Sequence, residues 1–160
     1  MKQKIEKTNA MRVLDSIKAE YEYSDHDNMT LSSDELAERC GVDTDALYKT
    51  LVCVGKSGQN YVFMVPTKGE LDLKKAAKAS GEKWVEMIPQ KSLLPLTGYV
   101  HGGCSPLGMK KQFPTFIDEI AATKERIVFS GGRVACQIKT KLEYLVKATN
   151  VKVADIKKEN

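Results

Sequence analysis

Apolar positions along the chain recur with two different periods, and the changes of period mark out the elements. Ala10, Val13, Leu14 and Ile17 share one face at helical spacing behind Thr8, which has the chemistry of an N-cap. Ser32 with Glu35 forms a capping-box pattern before Leu36, Ala37 and Cys40, and Gly41 supplies a stop, so a second helix is predicted there. The run from Tyr48 to Val54 is rich in β-branched and aromatic residues, and a further apolar run extends from Tyr61 to Pro66. The polar stretch Lys56 to Asn60 between them predicts a hairpin with a five-residue loop. The second strand is nearly continuously apolar, which implies burial on both faces. Leu71 to Ser80 reads as a helix capped near Asp72 and closed by Gly81, its lysines opposite a leucine and alanine face. Short strands are expected over Lys83 to Met87, around Tyr99, and over Thr115 to Ile117, Ile127 to Phe129 and Val134 to Ile138. A last helix should run from Thr140 to Ala148, with a strand at Val151 to Val153.

Several neighbouring strands are joined by turns too short for anything but antiparallel pairing, so the class is α+β with a mixed sheet. One domain over residues 1–160 is expected, since no linker, repeat or low-complexity tract interrupts the pattern. The 42% hydrophobic and 29% charged content is that of a globular protein rather than a disordered one. The charged N-terminus and the lack of a long apolar run point to a cytoplasmic protein with no membrane partner. Cys40, Cys53, Cys104 and Cys136 are widely spaced, without a Cys-x-x-Cys pair, and read as free thiols; no metal site or cofactor is expected. A net charge of +4 does not by itself mark a nucleic-acid binder, and the clusters Lys74, Lys75, Lys78 and Lys110, Lys111 are read as solvated surface.

Chemistry concentrates in Thr97 to Gly108, which holds Gly98, Gly102, Gly103 and Gly108 together with Pro106. Such glycines let a ligand approach backbone N–H groups, although a ligand-free turn has the same composition. Ser130-Gly-Gly-Arg133 is a second glycine turn, suited equally to an anion or to a plain hairpin. Lys49 opens an apolar strand, where its charge must point outward or enter a pocket shared with the glycine loop. His26 sits between carboxylates in a turn, whereas His101 lies inside the loop and is better placed to face a ligand. Cys104 and Ser105 are conceivable nucleophiles, but the sequence shows no base beside either.

Taken together, Lys7-Thr-Asn-Ala10, Tyr48-Lys-Thr-Leu51, Gly69 to Lys75, Thr97 to Val100, Gly102-Gly-Cys-Ser-Pro-Leu-Gly108, Lys110-Lys111, Pro114 to Asp118 and Ser130-Gly-Gly-Arg133 resemble the YbaK proteins, relatives of the editing domain of bacterial prolyl-tRNA synthetase. Their order and spacing carry the resemblance across nearly the whole chain. It implies a mixed, largely antiparallel sheet curled toward a barrel with surrounding helices. It also implies hydrolysis of the ester between a wrong amino acid, mainly cysteine, and the acceptor end of proline tRNA, with prolyl-tRNA synthetase as partner and the substrate's own thiol as nucleophile. By the same resemblance Lys49, Gly102 and Gly103 are catalytic, and Thr50, His101, Ser105, Pro106, Ser130 and Gly131 bind substrate. Ser24 stands where the family often has tyrosine, and His101 and Cys104 replace aliphatic residues. An alanine editor and a catalytically silent tRNA- or synthetase-binding module are the alternatives.

Overall fold

Side-chain caps start three of the helices where the sequence places them. In the computed structural model, which describes residues 6–26 and 30–159, Thr8 accepts a hydrogen bond from the Met11 N–H and opens α1 (Asn9–Ser16). Strand β1 (Tyr21–Asp25) follows. Ser32 and Glu35 form the reciprocal capping box of α2 (Ser33–Cys40), and Gly41 closes it in the left-handed conformation with φ 70°. Asp72 accepts from the Lys74 and Lys75 N–H groups to start α3 (Leu73–Ser80). Such a cap contributes about 1 kcal/mol.

The hairpin is β2 (Tyr48–Gly55) and β3 (Asn60–Pro66), paired from Tyr48 opposite Pro66 to Val54 opposite Asn60. After α3 come β4 (Val85–Met87), α4 (Leu93–Thr97), β5 (Thr115–Asp118), β6 (Ile127–Ser130), β7 (Cys136–Thr140), α5 (Leu142–Thr149) and β8 (Lys152–Ala154). They make two sheets, one ordered β1-β7-β6 and one ordered β4-β2-β3-β5-β8. The first is antiparallel. In the second, β3–β5 and β5–β8 are parallel and the remaining pairs antiparallel, so the protein is α+β with mixed pairing. A parallel bridge between Leu47 and Val128 links the two sheets.

The core follows from this arrangement. Every residue of β3 after Asn60 is buried, as its unbroken apolar run predicts. One side of the sheets packs Met11, Leu14, Ile117, Phe129, Ile138 and Leu145; the other packs Phe63, Val65 and Phe116 against Ala76 and Ala77 of α3. The Phe63 and Phe116 rings stack at 5.5 Å between centroids. Among the described residues, no helix is long and apolar enough to cross a membrane.

Three expectations are corrected. Tyr99 belongs to no strand. It is buried in the loop after α4, where its hydroxyl donates to the Leu107 carbonyl at 2.5 Å. The strand expected from Val134 starts at Cys136, because Ala135 takes φ 63° and breaks the extended backbone. His26 is buried rather than on an open turn: its N–H donates to the Ala135 carbonyl, and its Nε2 lies 3.0 Å from the Ser24 hydroxyl. Asp27, the other carboxylate flanking His26, lies outside the described residues.

Candidate active site

The outer edge of β2 is only partly covered. From Cys53 to Gly55 it pairs with β4, and the Ile88 N–H donates to the Val52 carbonyl at 3.2 Å. At its start, Leu47 meets β6 through the bridge to Val128. Between these points the edge faces a cavity of about 420 Å³. Consecutive strand residues face opposite sides of a sheet, yet Lys49 and Thr50 both line this cavity, because an open edge is reachable from either side.

Its other walls come from distant parts of the chain. His101, Gly102 and Cys104 supply one wall, Ser130 and Gln137 a second, and Met87, Ile88, Gln90 and Leu93 a third; Leu36, Leu47 and Thr67 complete it. The lining is mainly apolar with a few convergent polar groups, the usual composition of a small-molecule site. No acidic side chain lies among the described lining residues, so Lys49 biases the cavity toward an anionic or neutral occupant. The Lys49 amine has no hydrogen-bond or ion-pair partner among the described residues. The hydroxyls of Thr50 and Thr67 are buried and likewise unpartnered.

The glycine loop is held by its own polar groups. Thr97 accepts from the Tyr99 N–H at 3.0 Å and donates to the Leu93 carbonyl at 2.8 Å. Ser105 is fully buried, and its hydroxyl accepts from the Leu107 N–H at 3.3 Å. Gly102 sits at φ 84°, a conformation open to glycine and strained for other residues. Gly103 lies against the next turn, where an added Cβ would stand 2.9 Å from the Val134 nitrogen.

The residues singled out from sequence therefore divide. Lys49, Thr50, His101, Gly102 and Ser130 come together on the cavity, while Gly103, Ser105, Pro106 and Gly131 are not among its lining residues. The Gly103 N–H is already donated to the Val100 carbonyl at 3.0 Å, so it is not available to a substrate. Gly131 donates to the Cys136 carbonyl at 2.8 Å, and its own carbonyl accepts from the Thr8 hydroxyl at 2.5 Å. This fixes the Ser130 turn to the start of α1. Arg133 is occupied by the Glu6 carbonyl and the Asp25 carboxylate. Cys104 touches the cavity, but burial pushes its thiol up to about 11, with the Thr97 hydroxyl as a smaller opposing influence. Thr67, Leu36 and the β4–α4 wall carried no sequence signal, since only the tertiary fold brings them to β2.

A model for the aminoacyl-tRNA editing domain matches residues 27–148, and the chain belongs to that family. Over 157 residues it is 45% identical to a protein of Enterococcus faecalis, covering 94% of this chain and 93% of that one. That relative carries the provisional name Cys-tRNA(Pro)/Cys-tRNA(Cys) deacylase EbsC. A crystal structure described provisionally as a trans-editing enzyme for prolyl-tRNA synthetase superposes with a TM-score of 0.82 at 26% identity, over 94% of this chain and 98% of that one. A hypothetical protein at 22% identity shares the fold, with a TM-score of 0.84 over 94% of this chain and 100% of that one.

Proposed function

We propose that this protein is a free-standing hydrolase that removes cysteine from mischarged proline tRNA, acting beside prolyl-tRNA synthetase. The observation that carries the reading is a cavity in which an unpartnered lysine faces a glycine loop, within a chain 45% identical to a protein provisionally named as a deacylase of cysteinyl-tRNA. The need for such an enzyme is physical. A pocket telling apart apolar groups of similar size gains only ~1–3 kcal/mol, so a second sieve is required.

In this reading the substrate brings the nucleophile. Its thiolate sulfur attacks its own ester carbonyl carbon, and the ribose oxygen leaves and takes up a proton. Water then opens the resulting thiolactone to free cysteine. The four-membered ring is strained, so the protein's contribution is orientation and charge stabilisation at the developing oxyanion. Lys49 binds the terminal phosphate or the carbonyl end of the substrate. Gly102 and Ser130 cradle the terminal ribose between them, with His101 at the rim. Gly103, Ser105 and Pro106 hold the loop in shape.

Proline tRNA charged in turn with cysteine, serine and alanine tests the reading. Hydrolysis confined to the cysteinyl ester is expected, and the Lys49→Ala variant should lose on the order of 100-fold in rate, the usual loss for one preorganised donor. Equal rates on cysteine and serine would remove the thiol mechanism. Preferential release of alanine would make the chain an alanine editor.

A further inference from the structure

The open edge of β2 offers more than a wall. The Val52 carbonyl points outward, since it accepts from the Ile88 N–H. Strand alternation therefore turns the N–H and C=O of Thr50 toward the same side. No strand among the described residues pairs with Thr50 on that side: β4 begins its pairing at Cys53, and β6 reaches only Leu47. The Thr50 hydroxyl is also buried and unpartnered. More than nine-tenths of buried backbone groups find a partner, and leaving one bare is costly. A buried, unpartnered hydroxyl beside a main-chain N–H and C=O that no described strand pairs calls for a polar occupant.

The geometry points to the aminoacyl group of the substrate pairing with Thr50 as a single strand residue. This rests on the functional reading above and specifies how that site recognises its cargo. In an antiparallel hydrogen-bonded pair, two opposed residues exchange both N–H···O bonds. An α-amino ester carries the same two groups at the same spacing. Its amine donates to the Thr50 carbonyl, and its ester carbonyl accepts from the Thr50 N–H, which thereby becomes a donor to the reacting oxygen. Opposed residues project their side chains to the same face. An L-amino acid therefore lies beside the Thr50 hydroxyl and Val52, whereas a D-amino acid is sent to the face of Lys49 and Leu51. The site selects α-amino acids of one hand through its main chain, before any side-chain pocket acts.

Three esters of proline tRNA test this on the wild-type protein: L-cysteinyl, D-cysteinyl and 3-mercaptopropionyl, the last keeping thiol and ester but lacking the amine. The amine-free ester should show KM raised at least about tenfold, the loss expected for one hydrogen bond to a polarised group, and the D-ester should be cleaved at least about tenfold more slowly. Thr50→Pro removes the N–H, which the sheet does not use, together with the hydroxyl, whereas Thr50→Val removes the hydroxyl alone, and edge strands accept proline; KM for the L-ester should rise similarly in Thr50→Pro relative to Thr50→Val. If the amine-free ester is cleaved within about twofold of the L-ester, the pairing is overturned while the deacylase reading stands. If no cysteinyl ester is cleaved, the functional reading itself falls. Should Thr50→Pro fail to melt cooperatively, the substrate comparison still decides.

Discussion

At the scale of single residues, Cys104 separates presence from reactivity. It lines the cavity, but burial pushes its thiol up to about 11, so near neutral pH it is protonated, and only the thiolate is a nucleophile. Cys104→Ala should keep cysteinyl-tRNA hydrolysis within about threefold of wild type, as expected for a residue with no bond to the reacting atoms. Iodoacetamide labelling at Cys104, followed by peptide mass mapping, should accelerate roughly tenfold per pH unit from pH 7 toward 10, because the thiolate fraction grows tenfold per unit below the pKa. A labelling rate flat in pH, or a hundredfold loss of turnover in the variant, would return the nucleophile to the protein.

At the scale of elements, the glycine loop works by being pressed against the turn between β6 and β7. A methyl group at Gly103 would meet the Val134 nitrogen at 2.9 Å and the Arg133 carbonyl carbon at 3.0 Å, both backbone atoms that cannot swing aside. Gly103→Ala should cost ~1–3 kcal/mol and lower Tm by several degrees, at roughly 2–4 °C per kcal/mol for a chain of this size. It should also lower kcat/KM, since His101 and Gly102 move with the loop. Unchanged melting would show the contact to be loose.

The same elements show what could be read from the chain. Caps made α1, α2 and α3 legible, because Thr8, Ser32 and Asp72 act within a few residues of their own backbone. Strand β1 gave little signal: in Tyr-Glu-Tyr-Ser-Asp no side chain is fully buried, so tertiary pairing with β7 rather than apolar alternation creates it. Helix α4 was hidden by Pro95, which is tolerated in the first turn because the N–H it lacks has no helical partner there. For the site, Lys49, Thr50 and the glycine loop stood out as local anomalies, whereas Thr67, Met87 and Gln90 are ordinary residues until folding sets them opposite β2.

At the scale of the whole molecule, Asp118 ties the far end of the chain to the central sheet. The residue is only 2% exposed, and its carboxylate accepts from the N–H groups of Ile120, Ile156 and Lys157 at 3.0–3.2 Å. An asparagine must turn an NH2 toward at least one of those donors. Asp118→Asn should therefore cost about 2 kcal/mol, within the range for bonds to a charged group, as read by urea unfolding. Its kcat/KM should stay within about twofold, because this carboxylate lies outside the cavity. A larger fall in activity than in stability would show that the sheet transmits strain to the site.

That tie bears on what a damaged gene can yield. Strand β8 and Ile156 follow β5 at a long distance along the chain, yet they complete it in the interior. A premature stop codon upstream of Ile156 strands a buried anion and uncovers an inner strand. Early termination yields a polypeptide destined for proteolysis rather than a weakened editor.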